Sequence, residues 1–163
     1  MYDRPMEVIR RTIRRFAKTE WMRRLMRTFL QPLDTGLGKV GLAPTERLMG
    51  SPLCYLTTTG RNSGQPRTVP LIYMCNEDGH PIVVGTNYGT EHDPAWALNL
   101  DADPRAELRI GKETSQVVAR RLSPDETSAI WGRFDAEWPG YERYREIAHR
   151  PIKAYALEPD RND

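Results

Sequence analysis

Apolar residues along this chain follow two rhythms. From Pro5 to Leu30, Met6, Ile9, Ile13 and Phe16, then Met22, Leu25, Met26 and Phe29, recur mostly three or four apart, with a polar break at Lys18–Glu20. That spacing predicts one or two amphipathic helices. Beyond residue 50 the period shortens. Leu53–Thr58, Thr68–Cys75, Pro81–Thr86, Ala106–Ile110, Gln116–Leu122 and Ile152–Leu157 are short runs rich in β-branched or aromatic residues and bounded by turn signals, so each predicts a strand. Between the two regimes, Gly36, Gly38, Gly41, Pro44, Gly50 and Pro52 mark an irregular connector.

Turns and caps link the strands. NEDGH, Asn76 to His80, and SGQP, Ser63 to Pro66, predict hairpin bends. Asp93 followed by Pro94 predicts an Asp-capped helix over Ala95–Leu100 that stops at Asp103-Pro104. SPDE, from Ser123, predicts a capping box and a helix reaching Glu137. Trp138 to Ala148 breaks at Pro139-Gly140 and resumes a helical pattern. Hairpin-joined strands without a βαβ rhythm predict a mainly β fold with helices (α+β): an antiparallel split β-barrel or sheet with peripheral helices. The expected layout is one globular unit, with residues 1–50 forming the N-terminal helix and connector and 51–163 the barrel.

Composition narrows the class of protein. The 163 residues are enough for one core. With 39% hydrophobic and 28% charged residues, the chain has the composition of a soluble protein, and no stretch approaches the roughly 20 apolar residues of a membrane span. Net charge is only +2, yet residues 1–31 hold nine Arg/Lys against three acids. Arginines interrupt that segment too often for a secretory signal. The basic helix then has two readings: it covers one end of the barrel, or it makes peripheral contact with the inner face of an anionic membrane. Nucleic acid is disfavoured, because the barrel portion is net acidic and no aromatic platform alternates with the arginines. Cys54 and Cys75 fall in predicted strands without C-x-x-C spacing, and His80, His92 and His149 are scattered, so neither a disulfide scaffold nor a metal site is expected. A reducing cytoplasm is the expected setting.

The chemistry concentrates in TTTGRNSGQPR, Thr57 to Arg67. Small residues and donors in one bend suit a phosphate or carboxylate, with amides near Gly60 and Gly64 facing a concavity and Arg61, Ser63, Gln65 and Arg67 projecting into it. The other reading is a solvated polar hairpin tip. Neither a Walker loop nor G-x-G-x-x-G is present.

Three segments in order, LTTTGRNSGQPRTVPL, GTNYGTEHDPAWALNLDADPRAEL and WPGYERYREIAHR, resemble the deazaflavin-dependent nitroreductase family over about residues 50–158. The resemblance implies a split β-barrel that binds coenzyme F420. It implies that Gly60, Arg61, Ser63, Gly64, Gln65 and Arg67 grip the coenzyme's phosphate and acidic tail. Asn62 and Asn87 stand where relatives carry lysines, a loss worth about 1–3 kcal/mol of binding if both were direct contacts. Pro94, Ala95 and Trp96 would seat the ring, with Thr86 placing a hydroxyl beside it. Trp138, Tyr141 and Tyr144, spaced by three along one helical face, would contact the acceptor, as would Ile72 in the second strand; Tyr141 or Tyr144 would donate a hydrogen bond or a proton. The alternative for the aromatic trio is a structural lid, and for Trp96 a core position. The function expected is an F420H2-dependent reductase passing hydride to an electrophilic small molecule: a quinone, an enone or a nitroaromatic. The rivals are an FMN-dependent barrel oxidoreductase and a non-catalytic carrier of coenzyme or lipid.

Overall fold

In the computed structural model, residues 12, 16, 19–25 and 51–160 are described. Six short strands build the barrel, several of them covered on both faces. Leu53–Thr59 (β1), Pro66–Cys75 (β2), Pro81–Val84 (β3), Arg105–Ile110 (β4), Glu113–Arg121 (β5) and Ala154–Pro159 (β6) close in the order β1-β2-β3-β6-β5-β4. Every ladder is antiparallel, and β1 closes the barrel against β4 with Leu56 opposite Leu108. Period two sends one parity inward. Cys54, Leu56, Val83, Leu108, Val117 and Leu157 share the interior cluster, whereas Ile82, Val84, Ala154 and Ala156, one residue out of phase on β3 and β6, face outward. Burial in that interior pushes the Cys54 thiol up to about 12.

Three of the four described helices pack on this frame. Glu20–Leu25 (α1) is what is described of the N-terminal amphipathic prediction, with Trp21 half exposed and its ring 6.0 Å from that of Phe16; the rest of the segment and the connector lie outside the described residues. Ala95–Ala102 (α2) feeds Trp96, Ala97 and Leu100 into the interior cluster and so plugs the barrel. Pro124–Glu137 (α3) starts at the expected capping box: Ser123 Oγ accepts from the Glu126 N–H at 3.2 Å, and Glu126 Oε2 accepts from the Ser123 N–H at 2.7 Å. Gly140–Ala148 (α4) follows the Pro139-Gly140 break. Both α3 and α4 lie on the outer face of β3 and β6, where Ala154 and Ala156 keep the wall low enough for aromatic side chains to pack down. Among the described residues, no helix is long and apolar enough to cross a membrane.

Strand ends depart from the prediction for local reasons. β3 stops at Val84 rather than Thr86: the Gly85 N–H still reaches the Lys153 carbonyl, opposite it in register, but Thr86 turns helical at φ −68° and ψ −27° and a 3₁₀ turn, Asn87–Gly89, begins. β5 starts at Glu113, earlier than the apolar pattern indicated, since Gly111 at φ +60° makes the β4–β5 turn and the polar residues that follow pair directly with β4.

Candidate functional site

The β1–β2 turn satisfies its own backbone. The Gly60 N–H donates to the Gln65 carbonyl at 2.8 Å, the Gly64 N–H to the Gly60 carbonyl at 2.7 Å, and the Gln65 N–H to Ser63 Oγ at 3.3 Å. Gly64 sits at φ +65°, which favours glycine, and a Cβ at Gly60 would press on Ser63 Oγ at 2.7 Å and on the Gln65 carbonyl at 3.1 Å. This corrects the expectation that the Gly60 and Gly64 amides face a concavity: they are consumed inside the bend. The donors left over are side chains.

Asn99 of α2 anchors that bend. Its Oδ1 accepts from the Arg61 N–H at 3.1 Å and its Nδ2 donates to Thr58 Oγ1 at 3.0 Å. At 3% exposed, an amide with donor and acceptor both satisfied is a rigid tie between turn, strand and helix. The tie shapes a cleft of about 520 Å³, with Gly60, Arg61, Asn62 and Ser63 on one side, Pro66–Val69 on another, and Ala95, Trp96 and Asn99 on the third. Among the described residues, neither Arg61 nor Arg67 meets a carboxylate. Gly64 and Gln65, in the same turn, do not line the cleft.

The helix that walls the cleft starts uncapped. Pro94 occupies the N-cap position with extended ψ 149° and no side-chain cap. Its carbonyl accepts from Ala97 and Leu98, while the N–H groups of Ala95 and Trp96 have no acceptor among the described residues. Such first-turn amides are the positive end of the helix. Asp93, the expected cap, is elsewhere engaged: Arg150 reaches its Oδ1 at 2.6 Å and Lys153 its Oδ2 at 2.8 Å. Lys153 also binds Asp101 at 2.6 Å. Hydrogen bonds to Asp101 and Asp93 hold the Lys153 ammonium above its ordinary range. At Asp101, burial works against the carboxylate, but hydrogen bonds from Lys153 and Tyr155 and the Lys153 charge outweigh it, so its pKa is lowered.

The cleft sets two guanidiniums that meet no carboxylate among the described residues beside the first turn of α2, an arrangement whose chemistry suits an anionic group and a carbonyl oxygen. Residues 26–159 match the F420H(2)-dependent quinone reductase family. The chain belongs to that family. It is 29% identical over 124 residues to an F420H2-dependent quinone reductase of Mycobacterium tuberculosis, covering 74% of this chain and 80% of the relative. Among solved structures, an F420-H2 dependent reductase superposes with TM-score 0.58 at 30% identity, covering 66% of this chain and 94% of that one. A chain solved as a domain-swapped dimer gives TM-score 0.61 at 26% identity over 86% and 98%.

In this member of the quinone reductase family the aromatic motif is not part of the cleft. Trp138, Tyr141 and Tyr144 are 3%, 7% and 3% exposed and cluster with Phe134 under α3 and α4, where Ile72 packs against them. The four residues expected to touch the acceptor are thus brought together, but as core. Trp138 Nε1 donates to the Tyr144 hydroxyl at 3.4 Å, and burial pushes the Tyr141 hydroxyl far above its ordinary range. Of the two readings of the trio, this packing accords with the structural lid: spacing of three makes one face, and the apolar outer wall of β3 and β6 receives it. Thr86 is buried and Asn87 donates through Nδ2 to the His92 carbonyl at 3.0 Å; both belong to the loop before α2 and neither lines the cleft. That loop rests on α4, with Tyr88 edge-on to Tyr144 at 5.9 Å. Sequence reasoning missed Asn99, Arg150 and Lys153. Of these only Asn99 carried a signal, a lone amide in the otherwise apolar run Ala95–Leu100.

Proposed function

We propose that this chain is an F420H2-dependent reductase that delivers hydride to a quinone, using the cleft between the β1–β2 turn and α2. The observation that carries the reading is the convergence, in one cleft of about 520 Å³, of the Arg61 and Arg67 guanidiniums with the open amides of Ala95 and Trp96. When bound, reduced F420 supplies a hydride to the acceptor. The protein's tasks are to hold, orient and keep dry.

Arg61 and Arg67, with the Asn62 amide and Ser63 hydroxyl beside them, hold the phosphate and acidic tail through charge-assisted hydrogen bonds. Gly60 and Gly64 let the turn fold tightly enough to present those side chains, and Gln65 closes it. Pro94 sets the start of α2, and the Ala95 and Trp96 amides meet ring oxygens; Trp96, edge-on to Tyr155 at 5.7 Å, fixes the helix in the barrel. Thr86 and Asn87 shape the loop behind that helix start. Tyr141 and Tyr144, together with Trp138 and Ile72, act by supporting this loop rather than by proton donation.

Anaerobic mixing of the protein with F420H2 and a soluble quinone tests the reading. The expected result is quinone-dependent return of the oxidised deazaflavin absorbance at a rate proportional to protein. Tight FMN binding with none for F420 would replace the coenzyme, and F420 binding without turnover on any quinone, enone or nitroaromatic would make the chain a carrier.

A further inference from the structure

The start of α2 departs from what its own residues prefer. Asp followed by Pro is a favoured N-cap and N1 pair, yet the helix begins one residue late. Pro94 has φ −65° and ψ 149°. Its φ already suits a helix, so one rotation about ψ would extend α2 by a residue. Asp93 would then be the N-cap, and Ala95 and Trp96 would occupy N2 and N3, the positions whose amides an Asp cap accepts from.

Two cations hold Asp93 out of that arrangement. Arg150 takes Oδ1 and Lys153 takes Oδ2, with the three side chains only 12%, 15% and 17% exposed for Arg150, Lys153 and Asp93. The guanidinium is itself pinned by the carbonyls of Gly85 at 2.9 Å, Thr90 at 3.1 Å and Thr86 at 3.2 Å. Lys153 is pinned by Asp101 at the far end of the same helix. Neither cation is free to follow Asp93 if the carboxylate swings.

We propose that Arg150 and Lys153 are positioning residues that withhold Asp93 from the helix start, keeping the Ala95 and Trp96 amides open to the cleft for an oxygen of the ligand. This rests on the reading of the cleft as the coenzyme site. Without the two cations, the carboxylate would cap the helix, occupy both amides and place a negative charge where a ligand oxygen must sit. The aspartate is needed in the loop and harmful at the cap, and the two cations keep it in the first role.

The test uses the full chain, with hydrogen exchange at the Ala95 and Trp96 amides without coenzyme and, separately, the Kd for F420. In the native protein both amides should exchange fast. In Arg150→Gln/Lys153→Gln they should slow at least about tenfold and F420 should bind at least about tenfold more weakly, the scale of one N-cap interaction. Adding Asp93→Ala to that pair should restore fast exchange and bring Kd back to within about threefold of native, since the competing cap is gone. A triple variant as weak as the double, or a double variant with native exchange at both amides, overturns the proposal. If the double variant is unfolded by circular dichroism, Lys153→Gln alone is read the same way, with native exchange and affinity counting against the proposal. Failure of the native protein to bind F420 would sink the coenzyme reading, while the exchange arm would still decide the positioning.

Discussion

Two sides of one barrel carry donor-rich or aromatic motifs of similar promise, and they use their polar groups in opposite ways. On the side of the β1–β2 turn, the backbone consumes its own amides and Asn99 locks the bend to α2, so the leftover donors, Arg61, Arg67 and two helix amides, have no acceptor among the described residues. On the side of α3 and α4, the polar tips of the aromatics meet one another: Trp138 donates to Tyr144, Arg145 stacks 4.3 Å over Trp131 and binds Asp135 at 2.7 Å. The first region has unmet hydrogen-bonding capacity held rigid. The second has met it internally and is core. On the function proposed above, the chemistry sits with the well-anchored donors left over by the fold rather than with amphipathic side chains on one face.

Truncating the closed side should give the largest effect. Phe134, fully buried and edge-on to Tyr141 at 5.6 Å, should cost about 3–5 kcal/mol of folding stability as Phe134→Ala, read by urea denaturation, while the folded fraction keeps native F420 affinity. A large affinity loss at native stability would mean that the aromatic cluster reaches the ligand after all. The barrel interior should also respond to alkali. Cys54 stays protonated to about pH 12 when folded but ionises from its ordinary 9.0 when unfolded, so the unfolded state binds fewer protons and stability falls as pH rises between those values, by about 1.4 kcal/mol per unit for one thiol. Cys54→Ala should remove that share of the slope in denaturation curves taken from pH 8 to 11.

The open side should show the reverse. Arg61→Ala/Arg67→Ala is expected to weaken F420 binding at least about tenfold, from the loss of charge-assisted contacts, with Tm nearly unchanged because neither guanidinium meets a carboxylate among the described residues. Loss of Tm with native affinity would make the turn structural and erase the contrast between the two sides.

How much of this contrast the sequence disclosed depends on the range of the interactions. Strands were legible because their alternation is local: Val83 faces in while Ile82 and Val84 face out. The Ser123 capping box was legible for the same reason. The turn was legible from its glycines and arginines, though not the fate of its amides, since the bond from Gly60 to Gln65 closes only when the bend forms. The ties that make the site were not legible at all. Arg61 to Asn99 spans 38 residues and Asp93 to Arg150 spans 57, so they exist only once the barrel has brought the elements together. At Asp93 the distant ion pairs overrode a strong local preference. In the aromatic motif the helical face was legible but its destination stayed open between acceptor contact and structural lid, because nothing in a spacing of three says which wall the face will meet.

The smallest expected effect is the sharpest test of that destination. Tyr141→Phe removes one hydroxyl and nothing else. Burial keeps that hydroxyl neutral throughout the working pH range, so it has little capacity to release a proton, and removing it should change stability by no more than about 0.5 kcal/mol, in line with substitutions that break no partner. Turnover of a quinone with F420H2 should stay within about twofold, whereas loss of a general acid would lower kcat by about 10²–10⁴. A fall of that size, with KM and Tm held, would show that the hydroxyl reaches the reacting centre in the working complex and that the closed side opens during turnover. An unchanged kcat leaves proton delivery to the cleft or to solvent reaching it, which is where the unpaired donors already are.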